Sequence, residues 1–453
     1  MDIEEEFEKM IAELPDALLP KIKLTKANES ISIHKGKFEL VLKDRIIEVD
    51  GEIIFSWKPD SGVLFSGTSP LALLLLKQRV EKIQIPGLQI EHGPIQILNI
   101  RNDHMSGSIS GPFVITYFED KVDCFYFELP NFKNTFGEGT KMDGSFSHSR
   151  IQWSDDNWDI TLDKLHNFDG IYKELKSEGG YALTHTGKIK PKKGNITHQE
   201  SRTISEKLGL FLSFLKGRRA YPCFLHGYKD DKLCWIDYSA FHVDRHQNVD
   251  SWLPQNDYSG IPELWKGFLK LTKIEDDYQC IDYLLHWYIE ANSNSGFVEG
   301  SIVLLQNAFE LLYNWRLKTN KEANSGADEK IRRLLKQAQL PLGFHKDYEE
   351  MIQELKANRI QFTDFPKLFT LIRNAIVHSD QNKRTQLSKY SGTHRFYIKH
   401  IGLYHMELLL LHLFGYEGKI ATRLPLERYS GGNEEYVPWI KADQISPSSA
   451  NEK

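Results

Sequence analysis

Pro366-Lys367-Leu368-Phe369-Thr370-Leu371-Ile372-Arg373-Asn374-Ala375-Ile376-Val377-His378-Ser379 is the stretch that decides how the second half of this chain folds. At ~100° of rotation per residue, Leu368, Phe369, Ile372, Ala375 and Ile376 fill one sector of a helix and Leu371 flanks it. The remaining sector holds Thr370, Arg373, Asn374 and His378, with Val377 its one apolar member. The pattern predicts an amphipathic helix over 366–379 that buries one face. Arg373 and His378 border the other face ~140° apart, with Asn374 one turn before His378.

Outward from this helix the same periodicity continues. Val298, Ile302, Leu305, Phe309 and Leu312 recur at spacings of four and three, which is a core stripe over 297–317. Asn320 to Gly326 is a polar loop, and the amphipathic stretch from Asp328 to Leu340 stops at Pro341, where helices commonly end. A helix is expected at Asp347–Ala357. A last long one runs from about Thr393 to Phe414, closed by Gly415 as a left-handed cap.

Before Gly260 the pattern is different. From Ser30 to Ile160, short β-branched or alternating runs lie between turn signals, such as Arg45–Val49, Asp50-Gly51 and Glu52–Trp57, where Asp-Gly reads as a hairpin turn. Between Tyr181 and Val243 a helix, Gln199–Leu215, leads into a second hairpin around Asp230-Asp231. The fold class is therefore α+β and multidomain. A β-rich, sandwich-like domain is expected at 1–170, a small mixed module at 171–260, an all-α bundle at 261–424 and a tail at 425–453, polar from Ser446 onward.

A chain of 453 residues, 40% hydrophobic and 26% charged, is long enough for two or three ordered cores. The net charge of -5 argues against a general nucleic-acid coat, although a local basic cleft remains compatible with it. The acidic start lacks a secretory pattern, and no apolar run approaches the ~20 residues needed to cross a bilayer. Cys124, Cys223, Cys234 and Cys280 have no paired spacing of a zinc site or disulfide framework. These features set the expectation of a cytoplasmic protein without membrane contact.

The polar sector of the 366–379 helix carries chemistry. A histidine near its ordinary pKa of ~6.5 exchanges protons with a 2′-hydroxyl or a leaving 5′-oxygen. An arginine offers a planar fork of donors to the charge that builds on a phosphate. Asn374 can orient the ring or bond a phosphate oxygen. Lys383 and Arg384, just downstream, are placed to touch an RNA backbone. One imidazole per chain is short of an acid and base pair, so a homodimer with a composite site is the economical arrangement.

At Arg373, Asn374 and His378 the chain resembles the HEPN superfamily. Gln306-Asn307-Ala308-Phe309-Glu310-Leu311-Leu312 upstream and Leu413-Phe414-Gly415-Tyr416-Glu417-Gly418 downstream resemble the Apea-like HEPN domains of bacterial phage-defence proteins. So do Leu183–Gly187 and Phe211–Arg218. The resemblance spans about 181–424. It implies a helical HEPN bundle and a dimeric, metal-independent endoribonuclease without a cofactor, cutting host or phage RNA such as tRNA in abortive infection. It implies Arg373 and His378 as catalytic, Asn374 as their support and Glu310 as an accessory acid. The β-rich part would then sense a phage-encoded trigger or hold the nuclease inactive. The competing reading is a noncatalytic HEPN module that binds nucleotide or RNA, or that mediates dimerisation.

Other motifs read as structural. His242 and His246 have helical metal-ligand spacing but no third ligand nearby and read as surface histidines, as do His400, His405 and His412 on the last helix, although that helix could pass near Arg373. Gly137-Glu138-Gly139-Thr140-Lys141 lacks the spacing of a phosphate loop. Lys188 to Lys193 and Lys216 to Arg219 read as solvated basic loops, with RNA contact as the lesser alternative.

Overall fold

A computed structural model describes residues 9–142, 145–239, 242–255, 257–318, 325–378, 380–427 and 433–440. The chain divides into two compact units, Met1–Leu212 with Arg219–Asn248, and Ser213–Arg218 with Val249–Lys453. The polar tail expected from Ser446 lies outside the described residues.

The first unit is β-rich. β1 (Ile31–Val41), β2 (Ile46–Ser56), β3 (Gly62–Thr68), β4 (Lys82–Gln84), β6 (Ile95–Arg101) and β7 (His104–Ile109) form a six-stranded sheet in the order β4-β1-β2-β3-β7-β6. Period-two burial drives it: Ile47, Val49, Ile53 and Phe55 of β2 point inward. That phase runs unbroken through Asp50-Gly51, so the hairpin expected there does not form. Gly51 instead pairs with Gly36 and Gly67 in mid-strand. A Cβ on Gly51 would lie 2.0 Å from the Ser66 carbonyl oxygen, which explains the glycine. The chain turns earlier, where Leu42 N–H bonds the Arg45 carbonyl.

A nine-stranded sheet takes in β5 (Gln89–His92), β8 (Phe113–Thr116), β9 (Cys124–Pro130), β10 (Glu138–Met142), β11 (Ser145–Ser154), β12 (Trp158–Lys164), β13 (Leu183–Pro191), β14 (Cys223–Lys229) and β15 (Lys232–Asp237). Its order is β10-β11-β12-β13-β9-β14-β15-β8-β5. β9, from the expected first domain, sits between β13 and β14 of the expected mixed module. The boundary drawn at 170 therefore cuts through one sheet, because composition shifts along the chain while strand pairing ignores chain order. The hairpin at Asp230-Asp231 does form, both residues having positive φ (47° and 58°). The two sheets share a core in which Phe55 meets Phe224 edge-on at 4.8 Å and Trp57 stacks on Tyr181 at 5.2 Å. α1 (Phe168–Glu178) precedes β13, and α2 (His198–Lys216) lays Phe211 against Trp153 of β11.

The second unit is helical: α3 (Ile261–Leu271), α4 (Glu275–Ser293), α5 (Phe297–Arg316), α6 (Ala327–Gln337), α7 (Glu349–Ala357), α8 (Phe365–Val377), α9 (Gln381–Leu387) and α10 (Gly392–Leu413). A short ribbon of β16 (Lys419–Ala421) and β17 (Glu434–Tyr436) follows. The region from 425 is thus not wholly a tail, since β17 pairs with β16. The expected stripe on α5 is buried at Ile302, Leu305, Phe309 and Leu312. Gly415, at φ 70°, follows the end of α10 as its spacing predicts.

One buried ionic network belongs to this unit. Arg423 donates Nε and Nη2 to the Glu407 carboxylate, both at 2.7 Å, and Nη2 also reaches Asn292 Oδ1 and the Asp250 carbonyl. Tyr288 donates its hydroxyl to the same carboxylate at 2.5 Å. Lys216 and Arg218, expected in a solvated loop, are buried where α2 ends.

Candidate active site

α8 is fixed at its start by Asp364, whose side chain accepts from Lys367 N–H and from Arg332 Nε at 2.8 Å. Pro366 in the first turn suits a helix entry. The buried face carries Leu368, Phe369, Ile372 and Ala375, as its spacing predicts, and also Phe365, one residue before the expected start. Two details differ. Thr370, placed in the polar sector by sequence, is buried, whereas Ile376 is only half-buried. The reason is that α8 is covered from more than one side, by α5, α6, α9 and α10.

The course of the helices follows from three contacts. Arg395 pairs with Glu299 at 2.7 Å and Gly402 lies beside Leu305, so α10 and α5 run in the same direction. Phe365 stacks on His405 at 4.6 Å and Phe369 lies beside Gly402, so α8 runs against both. Phe369 also meets Phe309 of α5 edge-on at 5.6 Å. The turn after Phe369, holding Thr370 and Arg373, therefore passes the turn before Phe309, which holds Gln306. At this seam Thr370 Oγ1, Arg373 Nε and Gln306 Oε1 are all shielded from solvent without a hydrogen-bond partner. An unsatisfied buried polar atom costs about 1–3 kcal/mol.

Arg373 is half-buried, and its Nη1 donates to Asn374 Oδ1 at 3.2 Å. His378 ends α8 as its C-cap, at φ −92° and ψ 88°, and its ring is exposed with no hydrogen-bond partner among the described residues. It stands just past the helix rather than within it, because its backbone has left helical geometry. Ser379 lies outside the described residues. The structure thus joins Arg373 to Asn374, while His378 is tied to Asn374 only through its backbone N–H on the Asn374 carbonyl and its ring is held by neither. Glu310 accepts from Gln306 Nε2 at 2.9 Å and lies 3.9 Å from Lys330 Nζ, and no hydrogen bond or ion pair among the described residues joins it to Arg373.

Lys383 and Arg384 sit on α9, a short helix that sequence periodicity did not reveal and that packs on α8. Lys383 Nζ bonds Gln386 Oε1, and Arg384 is exposed. His405, expected at the surface, is instead a core residue because its helix is buried along most of its length; its ring nitrogens are held at the Ile401 and Pro341 carbonyls and its pKa is pushed down to about 4 by burial. Among the described residues no group of three or more His, Cys, Asp or Glu side chains converges on a common metal position. The four cysteines are free, and no helix among the described residues is long and apolar enough to cross a membrane.

Two domain families of one kind of protein match this chain: residues 119–249 match the YopA central domain and residues 274–434 the YopA C-terminal domain. The chain is also 28% identical over 440 residues, 92% of its length and 96% of the relative's, to the SPbeta prophage-derived uncharacterized protein YopA of Bacillus subtilis (strain 168). No solved structure matches.

Proposed function

We propose that the helical unit is a HEPN-type endoribonuclease domain acting in the contest between phage and host, with Arg373 and His378 as its catalytic pair. One observation carries the reading. An arginine steadied by Asn374 and partly unsatisfied at Nε lies one to two helical turns from an exposed histidine whose ring has no partner among the described residues, on a helix packed into a bundle. A histidine without a structural partner is free to exchange protons, and a fixed guanidinium is preorganised for an oxyanion. The similarity to a prophage-derived protein supports the biological setting.

In this mechanism an imidazole removes the proton of a 2′-hydroxyl, whose oxygen attacks the adjacent phosphorus. The bond from phosphorus to the 5′-oxygen breaks, and that oxygen takes a proton from a second imidazole. Arg373 holds the charge on the non-bridging oxygens. The products are a 2′,3′-cyclic phosphate and a 5′-hydroxyl. The second imidazole comes from a second copy of the chain, and the β-rich unit serves as the sensing part that answers a phage-encoded trigger.

Induced expression followed by sequencing of cellular RNA ends, tRNA included, tests the proposal. Wild type is expected to produce new 5′-hydroxyl ends that disappear with His378→Ala, and purified protein is expected to cut equally well in excess EDTA. Unchanged RNA ends, ends that persist in His378→Ala, or cleavage lost on chelation and restored by magnesium would each overturn it.

A further inference from the structure

The middle of the nine-stranded sheet carries a second cluster of chemistry, far in sequence from the motif on α8. Pairing places Lys188 opposite Tyr126 and Tyr228 opposite Cys124, and the period of two puts these side chains and Lys190 on one face. The segment before β1 crosses this face. Lys21 places its ammonium 4.0 Å from the Tyr126 ring centre and 4.7 Å from that of Tyr228, while Lys188 lies 5.1 Å from Tyr126. Together they line a pocket of about 470 Å³.

Three features narrow what this pocket takes. Lys21, Lys188 and Lys190 line one side of the space; Lys188 bonds Tyr126, and Asp231 across the pocket attracts Lys21 and Lys188 without a close ion pair to any of the three among the described residues. The opposite wall is acidic: Asp230 and Asp231 form the tight turn, and Asp123 accepts from Asp230 N–H. Beside the pocket, on the same face of β9 and covered by the crossing segment, lies Glu128, fully buried. Its Oε1 accepts from the N–H groups of Lys21 and Ile22, and its Oε2 has no partner. That carboxyl anchors the crossing segment that delivers Lys21. A space of this size suits a small molecule rather than a polymer. One cationic wall calls for an anion, and one carboxylate wall calls for hydroxyl or amine donors at the ligand's other end.

We propose that this pocket binds a nucleoside monophosphate, with its phosphate on Lys21, Lys188 and Lys190 and its sugar or base donors toward Asp230 and Asp231. The site lies wholly in the β-rich unit and is independent of the nuclease reading.

Calorimetric titration of the full chain tests it, using AMP, GMP, CMP and UMP, with inorganic phosphate and adenosine as partial ligands. At least one monophosphate is expected to bind saturably at one site per chain, at least tenfold tighter than phosphate or adenosine. The pair Lys188→Ala with Lys190→Ala is expected to weaken that binding at least tenfold while the melting temperature stays near wild type. Asp231→Asn gives a second reading, a smaller loss confined to the nucleotides and absent for phosphate. His378→Ala is expected to leave binding intact. No saturable binding by any monophosphate, binding indifferent to the lysine replacements, or binding lost in His378→Ala would overturn the proposal.

Discussion

Arg373 donates through Nη1 to Asn374 Oδ1 at 3.2 Å, so the two side chains at the heart of the motif are paired with each other and not with the His378 ring. Asn374 is thereby a positioning residue for the guanidinium. Asn374→Ala is expected to lower cleavage about tenfold, the scale of one hydrogen bond to a charged group. In an Arg373→Ala background the same replacement should cost almost nothing further, because neighbours acting through one contact are not additive. Rate measurements on the four proteins of this cycle decide it. Fully additive losses would assign Asn374 a separate role on the RNA.

The Glu407 carboxylate and the Arg423 guanidinium are both buried, and Tyr288 and Asn292 complete their hydrogen bonds. Removing one partner strands the other charge in a low dielectric, which typically costs about 3–5 kcal/mol. Glu407→Ala is therefore expected to destabilise the helical unit by that amount. Adding Arg423→Met should restore part of the loss. Denaturant unfolding followed by far-ultraviolet circular dichroism checks both. A single replacement costing under about 1 kcal/mol would mean that the network does not hold the bundle together.

Burial at the centre of the nine-stranded sheet pushes the Glu128 carboxyl up to about 8, against the hydrogen bonds from Lys21 and Ile22 that favour its ionised form. The folded state therefore keeps a proton that the unfolded chain releases near pH 4.5. Stability from this group is fully present below pH 4.5 and is lost as pH rises toward 8, by an amount on the order of a few kcal/mol. His226, pushed down to about 4 by burial, works in the opposite sense, adding stability as pH rises from 4 to 6.5. Glu128→Gln is expected to flatten the decline between pH 6.5 and 8, where the contribution of His226 to the slope is fading and is the same in both proteins. Melting temperatures of both proteins across that interval test this, and parallel curves would exclude it.

How far sequence reaches is visible at single residues. The α5 stripe and the Gly415 cap were legible because each depends on local periodicity or backbone geometry alone. Asp50-Gly51 misled because a turn dipeptide and a mid-strand glycine look alike until the phase is followed from Ile47 to Phe55. Thr370 misled because a helix covered on several sides has no single polar sector. Lys188 and Lys190 read as a solvated basic run, whereas they lie on β13. Their grouping with Tyr126 and Tyr228 depends on strand pairing across the chain. The alternation Cys124, Tyr126, Glu128 was the one sequence signal for that face.

The last expectation concerns assembly. His378 is exposed at the end of α8, and the proposed chemistry uses one imidazole as base and another as acid. Each chain supplies a single motif, so an active site built from two chains would bring the ends of two α8 helices together about a twofold axis. If the site is shared, His378→Ala chains mixed with wild type should poison the mixed dimers, and activity should fall faster than the wild-type fraction. In the limit where a mixed dimer is inactive, activity follows the square of that fraction. Subunit exchange is first verified with differently tagged chains, and light scattering reports the mass of the cleaving species. A fully active monomer, or activity strictly proportional to the wild-type fraction after verified exchange, would rule out the shared site.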